Sequence, residues 1–66
     1  MTMLKVIEVL AESDKSWEDA AHIAVAHASE TVRNIMSINI TNFQASVEGG
    51  RIDKYRINAK ISFELE

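Results

Sequence analysis

The stretch Tyr55-Arg56-Ile57-Asn58-Ala59-Lys60-Ile61-Ser62-Phe63-Glu64-Leu65-Glu66 decides the fold. Tyr55, Ile57, Ala59, Ile61, Phe63 and Leu65 alternate with Arg56, Asn58, Lys60, Ser62, Glu64 and Glu66 without a break. Side chains of an extended chain point to opposite faces in turn, so this is a strand with one apolar and one polar face, beginning at Lys54. Upstream, Gly49-Gly50 reads as a hairpin turn and Ile35 to Glu48 as the partner strand. Met36, Ile38 and Ile40 share one phase, which then switches to Phe43, Ala45 and Val47. The switch needs one extra residue near Thr41-Asn42, and a β-bulge supplies it. A loop of residues 49–50 would set Ala45 opposite Lys54. A longer loop, 49–51, sets Ala45 opposite Tyr55 and Phe43 opposite Ile57, apolar against apolar. Beyond the bulge, Ile40 then faces Ala59, Ile38 faces Ile61 and Met36 faces Phe63. The bulge and the loop come from different evidence and agree on one register.

Met3 to Ala11 is rich in Val, Ile and Leu and reads as a first strand. It is apolar on both faces, with Leu4, Val6 and Leu10 on one and Met3, Ile7 and Val9 on the other. Such a strand needs cover on both sides: a helix on one, a subunit contact on the other. After a polar link, Glu12 to Lys15, a helix begins. Ser16 with Asp19 predicts a capping box, and Glu18 and Asp19 put negative charge where unpaired N–H groups favour it. Trp17, Ala21, Ala24, Val25, Ala28 and Val32 share the buried face. Glu18, His22, Ser29, Glu30 and Arg33 form the polar side. The helix is expected to end near Arg33-Asn34, giving roughly 17 residues and about 25 Å. The predicted fold class is α+β, in the order β-α-β-β, with the helix on the apolar face of a three-stranded antiparallel sheet. One helix is too short to cover two long strands.

The chain has 66 residues, no Cys and no Pro. It is expected to form a single domain over 1–66. A chain this small buries a limited share of its surface, and with neither disulfide nor cysteine-bound metal the remaining support is self-association. With 7 basic and 10 acidic residues the net charge is −3, which argues against broad phosphate contacts and hence against nucleic acid. No apolar run is long enough to span a bilayer, and Met1-Thr2-Met3-Leu4-Lys5 does not open a signal peptide. The lack of cysteine fits the cytoplasm.

Chemistry-bearing residues are sparse. His22 and His27 lie five apart on the helix and do not share a face, unlike a metal pair at four-residue spacing; they read as solvent or subunit-contact histidines. A metal site assembled from several chains stays open. The serines at 13, 16, 29, 37, 46 and 62 lie in no nucleophile motif, and Gly49-Gly50 lacks the spacing and lysine of a phosphate loop. An enzyme is therefore not expected. Trp17 reads as a staple between the helix start and the strand ends. Lys54, Arg56, Asn58 and Lys60, with Ser37, Asn39, Thr41, Gln44 and Ser46, make a broad hydrogen-bonding sheet face. It is either solvated or a ligand or subunit surface, where Arg56 and Lys60 could hold an anionic group.

The stretches Ser13-Asp14-Lys15-Ser16-Trp17-Glu18-Asp19-Ala20-Ala21, Ala28-Ser29-Glu30-Thr31-Val32-Arg33-Asn34-Ile35, Tyr55-Arg56-Ile57 and Ile61-Ser62-Phe63-Glu64-Leu65-Glu66 resemble the dodecins, in order and over nearly the whole chain. The resemblance implies a sheet curled around the helix and a homododecameric shell. It also implies a role in binding or storing a small molecule, for many members riboflavin or FMN. In the flavin-binding pattern a tryptophan early in the second strand stacks on the isoalloxazine ring, and a glutamine after the tyrosine of the third strand bonds its polar edge. Those positions are Ser37 and Arg56 here, and both are substituted. Serine offers no ring face, and arginine donates but cannot accept. The flavin site is thus altered. The alternative is a shell without an organic cofactor that binds cations or serves structurally.

Overall fold

The computed structural model describes residues 2–65. Glu66, placed by its alternation at the end of the third strand, lies outside the described residues, as does Met1. The elements are β1 (Met3–Ser13), α1 (Trp17–Ala28), β2 (Ile35–Glu48) and β3 (Arg51–Leu65). The strands form one antiparallel sheet in the order β1-β3-β2. β3, with the cleanest alternation, is the central strand. From Tyr55 onward its odd-numbered residues face the helix, and Ile57, Ala59 and Ile61 are fully buried there. They form the core with Ala11, Ala20 and Ala24, flanked by Ile7, Val9, Trp17, Ile35, Ile38 and Ile40.

The expected register holds at Ala45–Tyr55, Phe43–Ile57, Ile40–Ala59 and Ile38–Ile61. The bulge falls between Ile40 and Asn42, and its extra residue Thr41 donates from Oγ1 to the Asn58 carbonyl at 2.8 Å. That bond satisfies an acceptor beside the interrupted ladder. Two details differ from the sequence reading. The loop is Gly49-Gly50 alone, both with positive φ (59° and 76°), while Glu48 already pairs with Arg51 and Val47 with Ile52. Positive φ at both central residues is the hairpin turn whose twist matches its strands. The extra residue assigned to the loop is instead Asp53, bulged out of β3 between the Val47–Ile52 and Ser46–Lys54 pairs. Phe63 faces Ile35, not Met36, because a further bulge separates Ile35 from Ser37.

β1 runs two residues past its expected end, pairing Glu12 with Arg56 and Ser13 with Tyr55. Ser13 is buried and organises the link to the helix. Its Oγ donates to Asp19 Oδ2 at 2.6 Å and accepts from the backbone N–H of Lys15 at 2.9 Å and of Ser16 at 3.4 Å. Ser16 caps α1 as expected, accepting from the Asp19 N–H at 2.9 Å. The reciprocal half of the capping box is absent, because Ser13 takes both the Asp19 carboxylate and the Ser16 N–H.

The helix is shorter than the spacing predicted: 12 residues, about 18 Å at 1.5 Å per residue. Ser29 closes it, its N–H and its Oγ both donating to the Val25 carbonyl. The chain then tightens, with Glu30 bonding His27 and Thr31 bonding Ala28 three residues back, and Asn34 takes φ +61° before β2. Val32 and Arg33 are therefore outside the helix. Its buried face centres on Ala20 and Ala24, and Ala20, omitted from the expected stripe, is fully buried. Alanine at these positions lets the helix approach β3 closely, and the core is correspondingly small.

Candidate functional site

The sheet face turned away from the helix carries the candidate ligand positions. Reading across β1, β3 and β2, its rows are Glu12–Arg56–Gln44, Leu10–Asn58–Asn42, Glu8–Lys60–Asn39 and Val6–Ser62–Ser37. The polar stripe expected on β3 is thus real and lies on this side.

Arg56 does not stand free. Its Nε donates to Glu12 Oε2 at 2.8 Å and its Nη2 reaches the same oxygen. Both side chains are more than a third exposed, so water and salt screen the pair and its contribution to stability is no more than about 1 kcal/mol. Its local effect is to direct the guanidinium toward β1, away from Gln44 on the opposite flank. Ser37 is exposed and sits opposite Ser62. Ser62 and Arg56 are six positions apart on β3, which at about 3.3 Å per residue separates the two candidate positions by roughly 20 Å along the sheet. One chain therefore places Ser37 and Arg56 on one face but does not bring them together. A single ligand touching both would have to bridge copies.

The aromatic side chains lie on the other face. The Trp17 ring meets Phe43 edge-on at 5.9 Å between centroids and Tyr55 at 4.8 Å, and its Nε1 donates to the Gln44 carbonyl at 2.8 Å. This is the staple expected from its position at the helix start. Phe63, odd-numbered on β3, has the same orientation by register. Among the described residues the outer sheet face presents no aromatic ring.

His22 is exposed, its Nε2 at 3.9 Å from Glu18 Oε1 one turn away. His27 lies on the rim of a groove of about 470 Å³ between β1 and α1, lined by Ile7, Val9, Leu10, Ile23 and Ala28. Among the described residues no three His, Cys, Asp or Glu side chains gather closely enough to hold a metal ion. No helix among them is long and apolar enough to cross a membrane. The residue that sequence reasoning missed is Glu12, assigned to a polar link. The signal was present: Val9, Ala11 and Ser13 continue the inward phase of β1, which leaves Glu12 outward beside β3.

The family model described as Dodecin matches residues 3–66. A calcium dodecin of Mycobacterium tuberculosis is 32% identical over 65 residues, covering 98% of this chain and 92% of the relative. The crystal structure of a calcium-chelating calcium dodecin from the same organism, with a novel calcium-binding site, matches at 34% identity and a TM-score of 0.83, covering 97% and 91% of the two chains. Dodecin from Streptomyces coelicolor matches at 28% identity and a TM-score of 0.94, covering 98% and 93%.

Proposed function

The chain belongs to the dodecin family, and from that premise we propose that it is a homo-oligomeric binding and storage protein whose ligand is a small cation and not a stacked flavin. The observation that carries this reading is the outer sheet face. It has no ring to lie against an isoalloxazine, it presents Ser37 where the family's flavin-binding pattern has its stacking tryptophan, and it ties Arg56 to Glu12. Aromatic pairing adds roughly 0.5–1.5 kcal/mol beyond the apolar area it buries. Losing both weakens a flavin complex by orders of magnitude.

A cation fits better on two grounds. Relatives at 32% and 34% identity are calcium dodecins. The chain is also acidic: at −3 each, twelve copies would total about −36, a field that concentrates cations. Ligands would come from symmetry-related carboxylates, since none cluster among the described residues of one chain. The role is binding, without catalysis, and the absence of cysteine is in keeping with the cytoplasm.

The test is native mass spectrometry joined to equilibrium dialysis with Ca²⁺ and a fluorescence titration of FMN. The expected result is a mass of twelve chains, saturable Ca²⁺ uptake and FMN emission that stays unquenched at high protein. Quenching at one flavin or fewer per chain would restore the flavin reading. Ca²⁺ uptake no greater than nonspecific levels would remove the cation reading.

A further inference from the structure

The patch around Arg56 has the donors of an oxyanion seat, and the chain's own carboxylate occupies it. Arg56 and Asn58 on β3, with Gln44 and Asn42 on β2, fill two neighbouring rows of the outer sheet face. Rows on one face repeat every second residue, about 6.6 Å apart, and paired strands lie about 4.8 Å apart. One guanidinium and three carboxamides are thus anchored on a patch that a single small oxyanion can span with charge-assisted hydrogen bonds of about 2.8 Å on either side. The arginine fork matches phosphate and carboxylate oxygens better than any other side chain. On the β1 flank stands Glu12. Arg56 Nε and Nη2 both donate to its Oε2, the first at 2.8 Å. That engages two of the guanidinium nitrogens and sets a negative charge beside the third. Leu10, the β1 member of the next row, is apolar, so in these two rows Glu12 is the β1 residue able to hold the arginine.

We infer that Glu12 is a specificity-determining residue: as the internal counter-ion of Arg56, it closes this patch to phosphate-class anions. The inference deepens the reading of the outer face as the ligand surface and rests on it. An incoming anion must displace a carboxylate that is already bonded and then sit against its charge. A cation meets neither obstacle. The hold is one of occupancy and not of rigidity, because both side chains are more than a third exposed and water screens them. Removing the carboxylate alone therefore frees the guanidinium without disturbing the fold. The net charge of −3 also disfavours anions, but over the whole surface at once. Glu12 acts at one guanidinium, and that locality separates the two effects. Glu8 supplies the comparison. It lies on the same strand and the same face, two rows away and opposite Lys60, and takes no part in the Arg56 pair.

Equilibrium dialysis of radiolabelled inorganic phosphate at low salt compares the unmodified protein with Glu12→Gln, with Glu8→Gln, and with Glu12→Gln combined with Arg56→Gln. The two single changes shift the net charge equally. The expected result is phosphate uptake raised roughly fivefold by Glu12→Gln, the factor that corresponds to releasing an exposed ion pair. Glu8→Gln should raise it by less than about twofold, and the double variant should return to the unmodified level. Glu12→Thr, which keeps a strand-forming residue at the position, repeats the comparison should the glutamine variant fail to fold. Equal gains for Glu12→Gln and Glu8→Gln overturn the inference in favour of bulk charge. A gain that survives the loss of Arg56, or no gain in any variant, overturns it as well. Ca²⁺ uptake by the unmodified protein, measured in separate cells, tests the cation reading on its own: its absence removes that reading and leaves the phosphate comparison standing.

Discussion

Ile57→Ala tests the packing on which the sheet and helix depend. Ile57 is fully buried on the central strand, with Ala11 beside it on β1 and Phe43 on β2. The substitution removes three carbon groups, which at about 0.8 kcal/mol each is roughly 2.4 kcal/mol of lost transfer energy. A cavity term adds to this where the surroundings cannot close in. Here Ala11, Ala20, Ala24 and Ala59 have no side-chain length to swing into the space. The expected loss therefore falls in the upper part of the 2–5 kcal/mol range for such changes, about 4 kcal/mol, against about 1 kcal/mol for Ile57→Val. Urea unfolding followed by far-UV circular dichroism, at one fixed chain concentration for all variants, measures both, since an oligomer's stability depends on concentration. A loss for Ile57→Ala under about 1 kcal/mol would refute the reasoning. It would mean that the alanine face of α1 does not close over β3.

Ser16→Ala removes the acceptor for the Asp19 N–H and should destabilise by about 1 kcal/mol in the same assay, with a drop in helical signal before the main transition. Gly49→Ala meets no atoms around the added Cβ, so only the positive φ opposes it; a loss of about 1–2 kcal/mol is expected, and a neutral result would show that the turn is not as described. Glu12→Gln breaks a pair that is more than a third exposed, and should change stability by less than about 1 kcal/mol, with the difference shrinking further in 1 M salt.

Much of the fold was legible because β3 alternates without exception from Lys54 onward. A strand of that kind transmits its phase to whatever pairs with it, so the Thr41 bulge and the Phe43–Ile57 register followed from apolar matching alone. The location of the second extra residue did not follow. A longer loop and a tight turn with a bulged Asp53 lead to the same downstream register, and only the paired positive φ values of Gly49 and Gly50 separate them. The end of α1 was misplaced because Val32 continues the apolar spacing, whereas the helix stops at Ala28, about five residues earlier, where Ser29 bonds back to Val25 and Glu30 and Thr31 bond only three residues back. Parity placed Ser37 and Arg56 on one face. It could not show that Arg56 is taken by Glu12, which depends on β1 lying next to β3, nor that the two positions are some 20 Å apart.

The bulges have a bearing on misfolding. Both outer strands of the sheet, β1 and β2, end in a row of backbone groups available to a foreign strand. β2 interrupts its row at Met36 and Thr41, so an incoming strand finds no long stretch in phase. β1 pairs with β3 over 11 residues without a break, contains no proline, and carries only Lys5, Glu8 and Glu12 as charges. A subunit shed from its assembly would therefore be templated for cross-β growth along Met3–Ser13 and not along the hairpin. Aggregation seeded by dilution or mild acid should be slowed by a proline in β1 more than by one in β2.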